Sequence, residues 1–247
     1  MGPVMRMIVT RPEPDAQASA ERLAALGIEP ILAPLLTRQN LSARLPPAEG
    51  FAALAVTSAN ALRSLAERPD FTGLLGIPLF AVGDRTAHEA RQLGFSEVHA
   101  AQGTLDDLAT LIALARPDGA VLYPCGKHLS GDLAHALAPQ GLMVVTVPVY
   151  EMVAETQLPE PLARALSERT CGAVLHYSAR TAQIFSALVA PHLPEPERRH
   201  LAMLCLSENV AAPLIETHFN RVMLADHPSE EAMMALALAF TREQTGP

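Results

Sequence analysis

Aromatic side chains are scarce in this sequence of 247 residues. Tryptophan is absent and aromatic residues make up 4% of the chain, whereas 49% of its residues are hydrophobic. Such a composition excludes a disordered or fibrous chain and indicates layers of Ala, Leu and Val, which suit helices stacked on sheets. The length allows one large domain or two of ordinary size.

Cysteines are few and far apart. Cys125, Cys171 and Cys205 form no CxxC pair, so the sequence indicates neither a zinc site nor dithiol redox chemistry. We predict three reduced thiols, of which Cys171 and Cys205 are small core residues.

Runs of positive charge and long apolar runs are missing as well. The net charge is −8 and Lys and Arg do not cluster, which excludes the basic surface that supplies most nucleic-acid affinity. The longest apolar runs, such as AMMALALAF, are too short to span a bilayer, and the first ten residues lack the apolar region of a signal peptide. We therefore expect a soluble, cytoplasmic protein that binds neither nucleic acid nor membrane.

Short β-type runs alternate with Ala-rich segments of helical period along the chain. This pattern is typical of a parallel sheet covered by helices on both faces. Ten strands are predicted, near residues 6–10, 29–33, 53–57, 79–82, 97–100, 119–123, 143–147, 173–177, 201–205 and 221–224. Helices are predicted to begin at the caps Asp84, Ser178, Ser207 and Ser229 and to end at Gly27, Gly94 and Gly141.

Two stretches of the chain repeat in register. FAVGDRTAHEARQLGFSEVHAA, from Phe80, shares its skeleton with LCLSENVAAPLIETHFNRVMLA, from Leu204, so that partners differ by 124 in number. Just before them, AVTSANALRSL from Ala55 matches LHYSARTAQIF from Leu175 at an offset of 120. The repeat predicts two domains of similar fold.

A third match is out of order. RPEPDAQASAERLAALGIEPILAPLL, from Arg11, matches CGKHLSGDLAHALAPQGLMVVTVPVY, from Cys125, at an offset of 114. Because the opening segment resembles one in the middle, one domain is predicted to be inserted in the other. We place domain one at residues 1–35 and 151–247, domain two at 38–147, and linker strands at 34–38 and 147–152. Each domain is predicted to be a doubly wound, flavodoxin-like parallel sheet of five strands.

In open parallel sheets, ligands bind beyond the carboxyl ends of the strands, where helix N-termini present free N–H groups. Two such domains facing one another would form a cleft. The candidate substrate-binding residues at these strand ends are Arg11, Thr57, Ser58, Asn60, Gly83, Arg85, Thr86, Cys125, Gly126, Lys127, Ser178, Ala179, Ser207, Glu208 and Asn209. Ser58 and Ser178 also suit a purely structural role as helix caps.

The usual nucleotide, metal and nucleophile motifs are missing. No GxGxxG follows a strand, and the one GK pair has Val121 in place of the first glycine of a phosphate loop and His128 in place of its Ser or Thr. His128 and His135 have no third ligand at metal-binding spacing, and no GxSxG elbow occurs. The sequence therefore predicts no organic cofactor and no metal.

Five motifs taken in order resemble uroporphyrinogen-III synthases. They are VTRP followed by LAALGIEPILAPL, AVTSANAL, AVGDRTAHEARQLGF, YPCG followed by QGLMVVTVPVYEMV, and LHYSARTAQIF. The resemblance covers nearly the whole chain. It implies a cofactor-free lyase of two α/β domains that dehydrates linear hydroxymethylbilane and closes the macrocycle with the terminal pyrrole ring inverted.

The resemblance also implies a role for individual residues. Tyr150, in VYEMV, matches the family tyrosine, and we expect it to point into the cleft as a proton donor to the departing hydroxyl. Many relatives carry an RG pair with a further Arg where this chain has Cys125, Gly126 and Lys127, so Lys127 would substitute for that cation. We expect a monomer that receives its bilane from solution or by transient handover from the enzyme that makes it.

Two other functions fit a hinged two-domain architecture. A small-molecule binding protein without catalysis shares it, but a periplasmic one would carry a signal peptide and a regulatory one a DNA-binding appendage. A glycosyltransferase of two Rossmann domains would be larger and would carry a nucleotide-sugar site. Conversion of hydroxymethylbilane separates the synthase from both.

Overall fold

The computed structural model describes residues 4–129 and 131–245, and the elements below lie within them. The strands are β1 (Arg6–Val9), β2 (Glu29–Leu32), β3 (Leu36–Asn40), β4 (Phe51–Val56), β5 (Leu79–Ala81), β6 (Val98–Ala100), β7 (Ala120–Gly126), β8 (Val144–Ala154), β9 (Ala173–His176), β10 (Ala202–Cys205) and β11 (Val222–Leu224). The helices are α1 (Asp15–Ala25), α2 (Ala59–Ala66), α3 (Asp84–Gln92), α4 (Leu105–Ala115), α5 (Leu133–Leu137), α6 (Glu160–Ser167), α7 (Ala179–Val189), α8 (Glu195–Arg198), α9 (Glu208–Glu216) and α10 (Glu230–Thr245). All ten of these predicted strands are present, and an eleventh, β3, overlaps the linker strand predicted at 34–38.

The chain divides into two compact units. Unit 1 comprises Met1–Thr37 and Val153–Pro247, and unit 2 comprises Arg38–Met152. Unit 2 is thus contained within the sequence of unit 1, and the chain passes from one unit to the other along β3 and β8. Whether each unit folds as an independent domain with the predicted boundaries stays a prediction.

The sheet of unit 1 has five parallel strands in the order β2-β1-β9-β10-β11. Numbered along the unit, this is 2-1-3-4-5, the flavodoxin-like order. The strands are buried on both sides. One face packs an apolar layer that contains Ile8, Val174 and Phe185, and the other packs Val9, Leu175 and Phe240.

The sheet of unit 2 has six strands in the order β3-β8-β7-β4-β5-β6. Strand β3 runs antiparallel to β8, since the N–H of Leu41 donates to the carbonyl of Val149 while the N–H of Glu155 donates to that of Leu35. The other five strands are parallel and repeat the order of unit 1, with β8-β7-β4-β5-β6 standing for β2-β1-β9-β10-β11. The predicted fold class is confirmed, and the out-of-order sequence match is a circular permutation of one topology.

The matching turns before β2 and β8 show how closely the two units repeat. Gly27 follows α1 with φ +77°, and Gly141, its partner at an offset of 114, has φ +73°. A side chain with a Cβ is disfavoured in this left-handed conformation, so both copies need glycine to end a helix and turn into a strand.

The predicted helix caps have different outcomes. The Ser178 side chain accepts from the N–H of Thr181 and that of Ser229 from Ala232, at 3.2 and 3.1 Å, so both are confirmed. The prediction for Asp84 is wrong, because Gly83 holds the N-cap position and Asp84 is the first helical residue. The acid lies where it favours the helix dipole, and the extended Gly83 supplies the capping conformation.

Two structural findings bear on the class of protein. Within the described residues, no helix combines the length and apolar character needed to cross a lipid bilayer. Over the same residues, no cluster of three or more His, Cys, Asp or Glu side chains could hold a metal ion.

Candidate active site

Each sheet has one point where neighbouring strands are followed by crossovers to opposite faces. In unit 1 this switch point lies between β1 and β9, and in unit 2 between β7 and β4. Ligands of open α/β sheets bind at such points, beyond the carboxyl ends of the strands. The sequence-predicted residues therefore fall into two groups, one at the carboxyl edge of each sheet.

A pair of hydroxyl groups joins β4 and β7 at the switch point of unit 2. Thr57 Oγ1 and Tyr123 Oη lie 3.0 Å apart. Tyr123 is buried, and its burial raises the pKa of the phenol, so the group stays protonated. Sequence reasoning missed Tyr123. The signal was a hydroxylated aromatic in an otherwise apolar strand, directly before PCG.

Tyr150 lies directly against Gly126. A Cβ built at Gly126 would lie 3.0 Å from Tyr150 Cζ and 3.1 Å from its Oη. The two residues are also register partners on β7 and β8, and the N–H of Lys127 donates to the carbonyl of Tyr150 at 2.8 Å. Glycine therefore makes room for the phenol of Tyr150, a residue that is 9% exposed.

Beyond Gly126, the chain places two basic side chains around one carboxylate. Lys127 Nζ donates to Glu151 Oε2 at 3.0 Å, and His128 Nε2 lies 3.4 Å from Glu151 Oε1. The hydrogen bond from Lys127 lowers the pKa of the Glu151 carboxyl. Cys125 faces the core, and burial raises the pKa of its thiol to about 11, so at neutral pH it is an inert apolar group.

Arg11, at the switch point of unit 1, has partners within its own unit. Its guanidinium donates to Glu230 Oε2 at 2.5 Å and to Ser19 Oγ at 3.0 Å, and it lies 4.1 Å from the ring centre of Tyr177. Glu230 also accepts from Ser19 and from the Tyr177 phenol. This network ties the start of α10 to the ends of β1 and β9. Most of the Arg11 charge is already compensated there.

The helices that follow β4 and β9 begin with capping serines. Ser58 Oγ accepts from the N–H of Asn60 at 3.1 Å, and Ser178 Oγ from that of Thr181 at 3.2 Å. These residues occupy matching positions at the offset of 120. Each serine satisfies one helix N–H and thereby competes with a ligand for it.

The helices that follow β5 and β10 lack such a cap in this part of the described chain. Gly83 and Ser207 hold the N-cap positions of these helices, at the offset of 124. Gly83 has no side chain that could accept from the helix, and the Ser207 side chain makes no such hydrogen bond. Their first-turn amides therefore remain directed at whatever lies beyond the strand ends. Each of these first turns also carries a carboxylate, that of Asp84 in α3 and of Glu208 in α9, whereas the first turns of α2 and α7 carry none.

The remaining predicted residues lie in the first turns of the same helices. Arg85 in α3 and both Glu208 and Asn209 in α9 are exposed, Ala179 in α7 is half-buried, and Thr86 is buried. The carboxyl edge of unit 2 thus holds Thr57, Ser58, Asn60, Gly83, Arg85, Thr86, Cys125, Gly126, Lys127 and Tyr150, and that of unit 1 holds Arg11, Ser178, Ala179, Ser207, Glu208 and Asn209.

His176, at the end of β9, is a second residue that sequence reasoning missed. It is fully buried against Phe185, with ring centroids 4.9 Å apart, and neither ring nitrogen has a hydrogen-bond partner among the described residues. Burial lowers the pKa of the imidazole to about 3. The matching position in unit 2, at the offset of 120, holds Val56.

Comparison with known proteins bears on the family. The model of the uroporphyrinogen-III synthase HemD family matches residues 17–235. The fold is similar to that of uroporphyrinogen-III synthetase from Helicobacter pylori, with a TM-score of 0.67 and 21% identity over 96% of this chain and 99% of that chain. It is also similar to a mutant uroporphyrinogen III synthase from the extremely thermophilic bacterium Thermus thermophilus, with a TM-score of 0.56 and 20% identity over 97% and 100%.

No curated protein matches the chain significantly. At about 20% identity the two solved structures support the fold, whereas the family match spans most of the sequence and agrees with the motifs quoted above. The chain therefore belongs to the uroporphyrinogen-III synthase HemD family.

Proposed function

We propose that this chain performs the reaction of its family with the two carboxyl edges described above. As a uroporphyrinogen-III synthase, a hydro-lyase, it acts on hydroxymethylbilane, removes water and closes the macrocycle with the last pyrrole ring inverted. The observation that carries the reaction is the family match over residues 17–235. The positions and contacts of the residues at the two carboxyl edges support the proposed way in which the chain carries out this reaction.

The bilane is a polycarboxylate and the protein is acidic, so binding cannot rest on net charge. The amides at the starts of α3 and α9 supply anion sites without formal charge, each worth about 0.3–1 kcal/mol when exposed and up to about 2 when partly buried. Both helices are uncapped by side chains in the described chain, which supports this role. Arg85, in the first turn of α3, and Lys127, at the turn after β7, add cations.

Tyr150 is the proposed proton donor. Electron donation from a pyrrole nitrogen breaks the bond between carbon and hydroxyl, and the phenol gives its proton to the leaving oxygen, which departs as water. The substituted α-carbon of the terminal ring attacks the resulting azafulvene and gives a spiro intermediate. The bond from this ring to its original bridge then breaks and re-forms at the free α-carbon, which loses its proton to solvent. The packing against Gly126 fixes the phenol oxygen while the ring stays mostly buried. Solvent then returns a proton to the phenolate.

The protein's second task is conformational control. In water the bilane closes without inversion, so the enzyme must hold one arrangement of a flexible substrate against a fast competing reaction. The carboxyl edge of each unit offers several polar positions for the carboxylates of such a substrate. We propose that the protein is a monomer located in the cytoplasm, a compartment that its three unpaired cysteines suit. We also propose that the enzyme that makes the unstable bilane hands it over in a transient contact.

Steady-state assays with fresh hydroxymethylbilane test the distributed binding. We expect Arg85→Ala and Lys127→Ala each to raise KM several-fold while the product keeps its inverted ring. Complete loss of activity in either variant would show that a single cation dominates and would overturn this part of the proposal. A wild-type chain that leaves the isomer ratio at the value of the uncatalysed reaction would overturn the function itself.

A further inference from the structure

Lys127 and His128 form a small basic cluster of the kind that binds a carboxylate. In this structure the carboxylate between them is the protein's own, that of Glu151. Lys127 Nζ and His128 Nε2 lie 3.0 and 3.4 Å from the two oxygens of Glu151. The basic side chains are 53% and 65% exposed, so both can be reached by a ligand. Lys127 is the only lysine in the sequence.

The cluster is fixed to the part of the chain proposed for chemistry. Glu151 follows Tyr150 on β8, and Lys127 follows Gly126, the glycine that packs against the Tyr150 phenol. The hydrogen bond from the N–H of Lys127 to the carbonyl of Tyr150 holds the two segments together. The cluster is therefore anchored by main-chain contacts to the strands that carry Gly126 and Tyr150.

We propose that Glu151 is a specificity-determining residue that competes with a substrate carboxylate for Lys127 and His128. The inference rests on the proposed function, because it takes the bilane as the competing ligand. An ion pair this exposed is weak and exchanges readily for another carboxylate. Glu151 is tethered, however, so it competes at an effective concentration in the millimolar range. A lone carboxylate competes only at millimolar concentration or above, whereas a polycarboxylate held elsewhere on the protein is itself tethered and competes when dilute.

The kinetic test removes the charge of Glu151 and keeps its shape. Glu151→Gln should lower KM for hydroxymethylbilane about three- to fivefold. Glu155→Gln is the matched control, since Glu155 lies on the same segment, is exposed and pairs with Thr37. It makes the same change in net charge and should leave KM unaltered. In a Lys127→Gln background the gain from Glu151→Gln should disappear. An unchanged or raised KM in Glu151→Gln would overturn the inference.

A binding test separates this inference from the proposed function. The single lysine can be followed by amine-reactive labelling and peptide mass spectrometry. Uroporphyrin III, a stable polycarboxylate, should protect Lys127 in the wild type and at about three- to fivefold lower concentration in Glu151→Gln. Equal protection in both proteins, or none in either, overturns the inference even if the wild type forms the inverted isomer. If the wild type forms no inverted isomer, the proposed function is overturned, but the labelling experiment still reports whether Glu151 competes for Lys127.

Discussion

His176 allows a quantitative prediction about stability and pH. Its imidazole is fully buried without hydrogen-bond partners among the described residues, and its pKa is lowered from 6.5 to about 3. In the unfolded chain the ring titrates near 6.5, so between about pH 6.5 and 3 the unfolded state binds a proton that the folded state does not. The free energy of unfolding must therefore fall as the pH falls through this window.

The size of the effect follows from the two pKa values. At pH 7.5 the unfolded ring is mostly neutral and the contribution is close to zero, whereas at pH 5 protonation stabilises the unfolded chain by about 2 kcal/mol. Carboxyl groups with lowered pKa values, such as Glu67 and Glu151, also lose stabilising interactions on acidification. A comparison with a variant that lacks only the imidazole cancels their contribution.

Val56 suggests the variant, because it is the fully buried residue at the matching position of unit 2. His176→Val should be at least as stable as the wild type at pH 7.5, since it removes a buried imidazole whose nitrogens are unsatisfied in the described structure. At pH 5 the variant should retain about 2 kcal/mol that the wild type loses.

Hydrogen exchange followed by mass spectrometry can measure this pH-dependent loss of stability separately in unit 1. After correction for the intrinsic pH dependence of exchange, the most protected amides of β9 and β10 should open about 30-fold more often at pH 5 in the wild type than in His176→Val. Amides of β4 and β5, in unit 2, serve as the internal control. Equal pH dependence of the two proteins in β9 and β10 would refute the reasoning that folding keeps this ring neutral.

Three further variants test the site and the core. Tyr150→Phe should slow turnover roughly tenfold, about 1.4 kcal/mol in barrier, with an unchanged circular dichroism spectrum; full activity would remove Tyr150 as the acid. Gly126→Ala should reduce kcat at least as much, because its methyl group would lie 3.0 Å from Tyr150 Cζ, whereas Gly76→Ala has open space and should be silent in the same assay. Arg198→Ala removes the donors to three backbone carbonyls and should lower the free energy of unfolding in urea by about 2–3 kcal/mol. The control, Arg199→Ala at the neighbouring exposed residue, should lower it by less than about 0.5 kcal/mol, and equal losses in the two variants would contradict this role of Arg198.

The regular part of the fold could be predicted because its signals are local. Alternation of apolar strands and Ala-rich helices located all ten predicted strands, and the constant offsets of the repeat indicated two sheets of one topology. Gly27 and Gly141 show the physical reason, since both copies need the same left-handed turn and therefore keep the same residue.

The interactions at the strand ends could not be predicted, because they join residues far apart in sequence. Arg11 meets Glu230 across 219 positions, and Thr57 meets Tyr123 across 66. His176 gave no signal either, since a histidine at a strand end suggests an exposed ligand or base more readily than a buried neutral ring. Local pattern locates a strand end, whereas tertiary packing decides which side chains there are already paired.

The isomer produced from fresh hydroxymethylbilane tests the central claim most directly. The bilane should be supplied at a fixed concentration while the enzyme is varied, and both uroporphyrinogen isomers quantified after oxidation. The account predicts that the inverted isomer rises with enzyme until it is nearly the sole product, since the enzyme must outrun uncatalysed closure. An isomer ratio that stays at the uncatalysed value at every enzyme concentration, even if the bilane binds, would contradict it.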